Sequence, residues 1–289
     1  MHYQGPVYRP PSEAESILLQ ITTGCSHNKC SFCGMYKQQR FSIIPEETVY
    51  ADIDYAVRHF SHARRLFLCD GDALILPQKR LVPILARIQE KLPQIKRVGI
   101  YANCKSIKTK TVAELSELRR LGLGIVYMGL ESGDDHTLTA INKGASGEDM
   151  VAMAAKVKEA GIMLSVTVML GIAGPERSAL HAEETGRVLS AMDPEYVGAL
   201  SLMIEPRTKV HADIQAGRFV VPDPLAILRE LRAILAATCL TNGLFHANHA
   251  SNYLSVRAKL PDEKETTLAL IDQALAGNLS LRPEFLRAL

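Results

Sequence analysis

The sequence predicts an α/β fold: a partial (β/α)6 TIM-like barrel followed by a mostly helical C-terminal extension. Short β-branched runs alternate with longer amphipathic stretches between residues 17 and 203, and the connections are short. Six such units imply a parallel sheet with right-handed crossovers, but they are too few for a closed eight-unit barrel. The functional site is therefore expected in the loops at the carboxyl edge of the strands.

The individual elements follow from hydrophobic periodicity and from end signals. Pro45 and the acidic residues after it suit the start of the first helix. Gly122 and Gly161 each follow a helical stretch and precede a strand, as C-capping glycines do. The predicted strands are residues 17–21, 65–69, 98–101, 125–129, 164–170 and 196–203. The predicted barrel helices are residues 45–60, 79–92, 111–121, 147–160 and 179–192.

The chain is expected to contain an N-terminal segment, a barrel core and an extension packed on that core. We place these segments at residues 1–15, 16–205 and 206–289. Within the tail, residues 205–217 are predicted as a loop, and residues 223–240 and 264–276 as helices. No linker rich in Pro, Gly or Ser separates the segments, so the extension is expected to cover one end of the barrel.

Composition argues against two classes of partner. The formal net charge of the 289 residues is +2, without the basic excess of a nucleic-acid-binding surface. No apolar stretch is long enough for a membrane span, and the first ten residues, MHYQGPVYRP, lack the apolar core of a signal peptide. We therefore expect a cytoplasmic protein without a membrane or nucleic-acid partner, in which clustered thiols are ligands or redox groups.

Three of the six cysteines lie in the segment TTGCSHNKCSFCGMYK, directly after the first strand. Cys25, Cys30 and Cys33 have the spacing C-x4-C-x2-C. A structural zinc site needs four ligands, usually in two close pairs, and His27 stands too near Cys25 to complete one. An iron–sulfur cluster accepts this spacing, and three thiolates leave one iron open to nitrogen and oxygen ligands.

These residues resemble the cluster motif of the radical S-adenosylmethionine (radical SAM) superfamily. The usual spacing there is C-x3-C-x2-C, so this chain carries one additional residue. The segments FLCDGDALIL, GLESGDDHTLTAINKG and EDMVAMAAKVKEAGIMLSVTVMLGIAG also resemble the core shared by the Elongator catalytic subunit, the methylthiotransferases and oxygen-independent coproporphyrinogen oxidase. The resemblance extends over about residues 16–203, in family order.

The resemblance implies that the three cysteines hold a 4Fe-4S cluster whose open iron binds the amino and carboxylate groups of S-adenosylmethionine (SAM). It implies adenine contacts from the ring of Phe32, from the backbone of Met35 and Tyr36, and from the close approach of Gly171 in MLGIAG. For Phe32, packing in the core is an equally good interpretation. Gly174 follows Gly171 at the end of the same predicted strand.

Further polar contacts are implied for the cofactor's methionine and ribose groups. Asp70, Gly71 and Asp72 stand where the family binds the ammonium group, although Asp-Gly also forms ordinary turns. Glu131 and Ser132 are the candidates for the ribose hydroxyls. One further residue, Lys143, corresponds to a basic position near the cofactor's carboxylate, or is a solvated lysine at a helix end.

The remaining polar candidates are less specific. Cys69 and Cys104 are expected at strand ends, where they face substrate or are buried as small hydrophobic residues, and Cys239 lies in the tail. Asn248 and Asn252, within HANHASNYLS, line a substrate pocket or belong to a surface loop. The sequence assigns no catalytic side chain.

The resemblance implies an enzyme that reductively cleaves SAM and uses the resulting 5′-deoxyadenosyl radical on a small molecule or cofactor precursor. An external one-electron donor of the flavodoxin or ferredoxin type is implied as a partner. One alternative is a non-catalytic tetrapyrrole or heme carrier of the same fold, although the additional cysteine of such relatives is replaced here by Met35. The other alternative is a zinc-dependent nucleic-acid-binding module.

Overall fold

The computed structural model describes residues 1–288, and it confirms the α/β class and the mostly parallel sheet. The strands are β1 Ile17–Gln20, β2 Thr22–Thr23, β3 Ser42–Ile43, β4 Arg65–Cys69, β5 Arg97–Ala102, β6 Leu123–Glu131, β7 Met163–Leu170, β8 Tyr196–Ser201, β9 Gly243–Ala247 and β10 Val256–Leu260. The eight principal strands follow the order β1-β4-β5-β6-β7-β8-β9-β10, and a separate antiparallel pair joins β2 to β3.

Ten α-helices connect or follow these strands within residues 1–288. They are α1 Glu46–His59, α2 Gln78–Lys91, α3 Cys104–Lys108, α4 Val112–Arg120, α5 Asp135–Ala140, α6 Gly147–Glu159, α7 Gly174–Met192, α8 Lys209–Gln215, α9 Pro224–Ala237 and α10 Lys264–Leu275. Gly122 and Gly161 have positive φ angles of 100° and 75° after α4 and α6, which confirms their predicted C-capping role. No helix among the described residues is long and apolar enough to cross a membrane.

The chain divides into two compact units. Unit 1 comprises Met1–Asn28, Met35–Met128 and Met153–Leu164, and unit 2 comprises Lys29–Gly34, Gly129–Ala152 and the chain from Ser165 onward. In unit 1, β1, β4 and β5 are parallel neighbours, and β5 pairs in parallel with β6. In unit 2, β7, β8 and β9 are parallel, and β10 runs antiparallel to β9.

The core of unit 1 lies around β4. Phe67 is fully buried, and its ring meets those of Tyr101 and Tyr127 edge to face, at centroid distances of 4.9 and 5.6 Å. Leu66 and Leu68 are also buried. Each such leucine contributes roughly 1.5–3 kcal/mol by leaving water. This packing fixes the carboxyl end of β4, where Asp70 begins the next loop.

The core of unit 2 lies between its strands and its long helices. Gly186 of α7 packs against Ala237 at the end of α9, where an added Cβ would collide with that residue. Leu170 and Ser201, on β7 and β8, lie beside α9 around a small pocket. These contacts define the helix-facing side of the unit 2 sheet.

The tail contains more regular structure than the sequence analysis predicted. Residues 205–217 were predicted as a loop, but they include α8, in which Val210 is the one buried residue. Strands β9 and β10 were also missed, and β9 continues the parallel alternation beyond residue 203. Both omissions have one cause: short, half-polar elements give weak periodicity.

Candidate cofactor-binding site

The three motif cysteines follow β2 as reduced thiols that are partly exposed. Cys25 belongs to unit 1, and Cys30 and Cys33 belong to unit 2. Among residues 1–288, no group of three His, Cys, Asp or Glu side chains is already gathered at metal-binding distances. The cluster ligands are therefore assigned by the motif.

In unit 1, the loop after β4 contacts the loop that carries Cys25. The N–H of Gly71 donates to the carbonyl of Gly24 at 3.0 Å. A Cβ at Gly71 would lie 2.7 Å from Cβ of Cys25 and 2.9 Å from the ring of Tyr36. Only glycine fits this close approach, so the two loops are packed together at Cys25.

Asp70 is buried and has a left-handed backbone, with φ 80°. Its Oδ2 accepts from Nε2 of Gln20 at 2.7 Å, but its Oδ1 has no hydrogen-bond partner among residues 1–288. The buried hydroxyl of Tyr36 has no partner within the same described residues. Burial raises the pKa of Asp70 to about 6, although the hydrogen bond from Gln20 and the nearby backbone N–H of Gly24 oppose the shift.

This unpartnered oxygen fits an N–H of the amino group of SAM. A buried carboxylate oxygen without a donor is costly, and an N–H donor removes that cost. Asp72 differs, because it accepts from Ser26 and from Nδ2 of Asn103 at 2.9 Å. The geometry therefore favours Asp70 over Asp72 for the amino contact. Gln20, Ser26 and Asn103 were not singled out from the sequence.

Tyr36 is buried, and its ring meets that of Tyr8 edge to face at 5.4 Å between centroids. Burial, followed by the charge of Asp70, holds the pKa of Tyr36 well above its usual range. Its carbonyl accepts from Nδ2 of Asn28 at 2.7 Å. The backbone predicted to meet adenine is thus held in place, while the Met35 side chain is exposed.

In unit 2, the Cys30–Cys33 segment is anchored through Ser31. The Ser31 N–H donates to Ile141 at 2.8 Å, and its carbonyl accepts from Val210 at 3.0 Å. Phe32 packs against an apolar cluster, formed by Leu138, Ile141, Ile172, Leu202 and Val210. Since the ring is only partly buried, it has both a core contact and an open side.

Glu131 and Lys143 lie together in unit 2. Lys143 Nζ donates to Oε1 of Glu131 at 2.9 Å, and both side chains are largely buried. Glu131 has a positive φ of 66°, and its carboxylate folds over Gly129, where an added Cβ would collide with it. The two predicted cofactor contacts are therefore an ion pair rather than two independent charges.

Ser132 directs its hydroxyl into the protein. Its Oγ lies 2.7 Å from Nδ1 of His181 and accepts from the N–H of Asp134 at 3.0 Å. Ser132 and His181 are fully buried. The Ser132 side chain is thus occupied by internal hydrogen bonds.

The same loop is fixed to α7 by two further contacts. Gly133 donates to Thr185 at 2.9 Å, and Arg177 holds Asp134 with two hydrogen bonds of 3.0 and 2.9 Å. Burial opposes ionisation of Asp134, but the hydrogen bonds from Arg177 and Thr137 outweigh it and lower its pKa. Asp134 therefore stays ionised and the loop stays attached.

Gly171 is held by a residue of the tail. Its N–H donates to Oε1 of Glu230 at 2.6 Å, and its φ is 81°. Glu230 also accepts from Ser178, and Nε2 of His181 lies 3.4 Å from Oε1, at ion-pairing distance without hydrogen-bond geometry. Glu230 and His181 thus link the loop of Ser132 with the loop of Gly171.

Sequence reasoning missed both linking residues, although a signal was present. Glu230 stands between Leu228 and Leu231 on the apolar side of α9, and His181 lies on the buried side of α7. A charged residue inside an apolar stripe is rarely buried without a partner. That signal could have identified Glu230 and His181 as buried polar residues that need a partner.

The other candidates differ in burial and in their contacts. Cys69 is buried and burial raises its thiol pKa, which fits the packing interpretation. Cys104 begins α3, Cys239 is exposed and Asn248 is exposed. Asn252 is buried and donates to the carbonyl of Ala199 at 2.8 Å, beside the small pocket next to α9.

Comparison with known proteins supplies the family context. The family model "Radical SAM superfamily" matches residues 19–181, more than half of the chain. The heme chaperone HemW of Bacillus subtilis (strain 168) is 22% identical over 176 residues, which are 61% of this chain and 45% of that protein.

Two solved structures share the fold at low identity. Coproporphyrinogen III oxidase (HemN) from Escherichia coli gives a TM-score of 0.54 at 17% identity, covering 76% of this chain and 52% of that chain. The radical SAM methyltransferase TsrM from Kitasatospora setae, solved with cobalamin and a [4Fe-4S] cluster, gives 0.55 at 17% identity, covering 70% and 40%. The chain spans about half the length of these relatives.

Proposed function

This chain belongs to the radical SAM superfamily, whose members bind a 4Fe-4S cluster and SAM, and we propose that it is an enzyme that cleaves SAM reductively. Cys25, Cys30 and Cys33 would hold the cluster. When bound, the cluster would supply one low-potential electron for the reductive cleavage of the carbon–sulfur bond of SAM, and with it the radical chemistry that acts on the substrate. A flavodoxin- or ferredoxin-type protein would supply the electron.

The observation that carries this proposal is the unpartnered, buried Oδ1 of Asp70 in the loop packed against Cys25. In this role Asp70 accepts a hydrogen bond from the amino group of SAM, and Gly71 lets the two loops approach. Without such a donor, the same oxygen is buried at a cost and stabilises nothing. A binding role accounts for that cost.

The remaining residues bind and orient the cofactor. Glu131 accepts hydrogen bonds from the ribose hydroxyls, and Lys143 neutralises Glu131 and attracts the cofactor's carboxylate. The fully buried Ser132 hydroxyl contacts His181 and Asp134, so it holds the loop in place rather than meeting the ribose. Gly171 lets the backbone pass close to adenine, with Phe32 and the backbone of Met35 and Tyr36 as the other adenine contacts. The substrate is a small molecule or a cofactor precursor.

The test is 5′-deoxyadenosine formation under anaerobic conditions. The chain is reconstituted with iron and sulfide and given dithionite and SAM. Wild type and the Cys239→Ala control should form the nucleoside, and Cys33→Ala should not. Equal yields from wild type and Cys33→Ala would overturn the proposal.

A heme carrier is the second candidate, and the similarity to HemW favours it. In that role the chain would bind heme stoichiometrically and form no 5′-deoxyadenosine. Titration with heme beside the turnover assay separates the two functions. Iron and sulfide analysis of the same sample tests the zinc-module alternative, which requires zinc and no sulfide.

A further inference from the structure

The sheet of unit 2 has a second face, opposite α9. Leu170 and Ser201 point toward α9. Side chains alternate along a strand, so Thr167 on β7 and Gly198 on β8 lie on the opposite face. Both are partly exposed, unlike their buried neighbours in the strands. This second face is therefore partly accessible to solvent.

Four residues form one row across this face. Thr167 pairs with Gly198, Gly198 pairs with His246 on β9, and His246 pairs with Arg257 on β10. Directly paired residues project to the same side of a sheet. The row therefore extends over three inter-strand spacings, roughly 14 Å.

His246 is a polar residue that the protein itself does not satisfy. Within residues 1–288 its ring forms no hydrogen bond. Its Nε2 is shielded from solvent, so Nδ1 is the ring nitrogen that a ligand on this face can reach. Burial, and then the charge of Arg257, lower its pKa. At neutral pH the imidazole is uncharged and carries one N–H donor.

Arg257 gives the row a positive charge that is not neutralised. Its side chain is exposed, and it forms no ion pair with any described residue. Strands β7 to β10 contain no Asp or Glu, and Lys259, on the same face, is already paired with Asp262 at 3.1 Å. A donor and a cation therefore lie side by side without an acceptor.

Gly198 leaves space between the polar residues. A Cβ at this position would meet no atom closer than Cδ1 of Leu200, at 3.7 Å. The absence of a side chain opens the surface between Thr167 and His246. A group of a few atoms can reach both side chains there.

We propose that the row Thr167, Gly198, His246 and Arg257 binds an anionic group of the substrate, a carboxylate or a phosphate. Arg257 supplies a two-pronged, charged contact, and His246 and Thr167 donate one hydrogen bond each. Gly198 provides the room for the bound oxygens. That the anion belongs to a substrate rests on the proposed enzymatic function. The anion site itself is inferred from the four residues of the row.

An ordinary alternative exists for Arg257 alone. Strand β10 is the last in the sheet order, and basic residues on edge strands discourage pairing with other chains. That role requires neither the unsatisfied ring of His246 nor the gap at Gly198. The two explanations predict different responses to anions.

The test is arginine modification by phenylglyoxal in the cluster-loaded chain, followed by peptide mass spectrometry. Inorganic phosphate and acetate are the probes, and chloride at equal ionic strength is the control. Arg229, exposed on α9, is an internal reference. Phosphate or acetate should slow the modification of Arg257 saturably, by roughly tenfold or more, and should leave Arg229 unchanged.

A variant pair tests the contribution of His246. His246→Leu should raise the half-protecting anion concentration about five- to tenfold, and His246→Gln, which keeps a donor, should raise it less. Protection by acetate alone identifies a carboxylate site, and protection by phosphate alone identifies a phosphate site. Equal slowing of Arg257 and Arg229, no slowing, or no effect of His246→Leu would overturn the proposal.

The result is independent of SAM cleavage, because no reductant is present. Saturable protection of Arg257 without 5′-deoxyadenosine in the turnover assay would uphold the anion site and overturn the enzymatic function. Normal turnover without protection would overturn the anion site and leave the enzymatic function standing.

Discussion

Nδ1 of His181 lies 2.7 Å from Oγ of Ser132, and both side chains are fully buried. On its other side, His181 faces Glu230, which accepts from the N–H of Gly171. The loops after β6 and β7 are therefore joined through residues of α7 and α9. In the proposed function both loops contact SAM, so the tail residue Glu230 helps to position the cofactor.

Replacement of His181 should affect both folding and cofactor binding. In His181→Leu, Ser132 and Glu230 lose a buried partner, which lowers the free energy of unfolding by about 1–3 kcal/mol. SAM affinity should fall as well, because the two loops are no longer joined. His181→Asn, which retains an acceptor for Ser132, should recover part of the affinity. Denaturant titration and equilibrium SAM binding measure the two effects.

The exposed His62 provides the matched control. His62→Leu should change neither quantity. If His181→Leu destabilised the fold but left SAM affinity unchanged, the network would be structural only.

Asp70→Asn should have opposite effects on stability and on binding. Burial raises the pKa of Asp70 to about 6, above its value in the unfolded chain, so the folded state favours the protonated carboxyl. The contribution of Asp70 to stability is therefore lost as pH rises through about 6. Without SAM, the variant should therefore be more stable than wild type at neutral pH, by about 1–3 kcal/mol. With SAM, it should bind about 10- to 100-fold more weakly, since a charge-assisted contact is missing.

The pH dependence of SAM binding checks the same assignment. An N–H donor favours the ionised carboxylate, so wild-type affinity should rise as pH increases through about 6. The dependence due to Asp70 should be absent in Asp70→Asn and retained in the surface control Asp262→Asn. Identical pH profiles for wild type and Asp70→Asn would rule out the amino contact.

Gly71→Ala should impair cluster assembly. The new methyl group would lie 2.7 Å from Cβ of Cys25 and 2.9 Å from the Tyr36 ring, and relieving such overlap costs about 1–3 kcal/mol. Iron and sulfide content after reconstitution should fall. Gly161→Ala carries a positive-φ penalty that Gly71→Ala does not, but it has no neighbour within 4 Å, so its cluster content should match wild type. Full iron content in Gly71→Ala would contradict the packing at Cys25.

The Glu131–Lys143 pair should show coupling in a double-mutant cycle. Changing either residue to Gln removes this ion pair and leaves the other charge in a largely buried position. Breaking a fully buried ion pair costs about 3–5 kcal/mol, and the cost should be smaller here because the two side chains are 12% and 10% exposed. The double variant should be less destabilised than the sum of the two. Additive free energies of unfolding, measured by denaturant titration, would show that the pair does not interact in solution.

The barrel strands and the cysteine motif could be predicted from the sequence. Arg65 is followed by a continuous apolar run over residues 66–69, as expected for a buried parallel strand, and β4 matches the predicted bounds 65–69 to the residue. The cysteine spacing depends only on local chemistry. Both signals are contained within a few consecutive residues.

The missed features depend on residues that are distant in the chain. His181 and Glu230 are 49 and 98 positions from Ser132, and their pairing exists only after α7 and α9 pack together. The choice between Asp70 and Asp72 likewise depends on Asn103, which satisfies one carboxylate and not the other. A pattern within a few consecutive residues cannot predict contacts between residues so far apart in the chain.

The most direct measurement of the central claim is the electron paramagnetic resonance spectrum of the reduced, reconstituted chain with and without SAM. A 4Fe-4S cluster with an open iron should give a signal that changes on SAM addition. Cys33→Ala should lose the signal, and Cys239→Ala should keep it. A cluster signal that SAM leaves unchanged, or no iron–sulfur signal at all, would contradict the assignment of Cys25, Cys30 and Cys33.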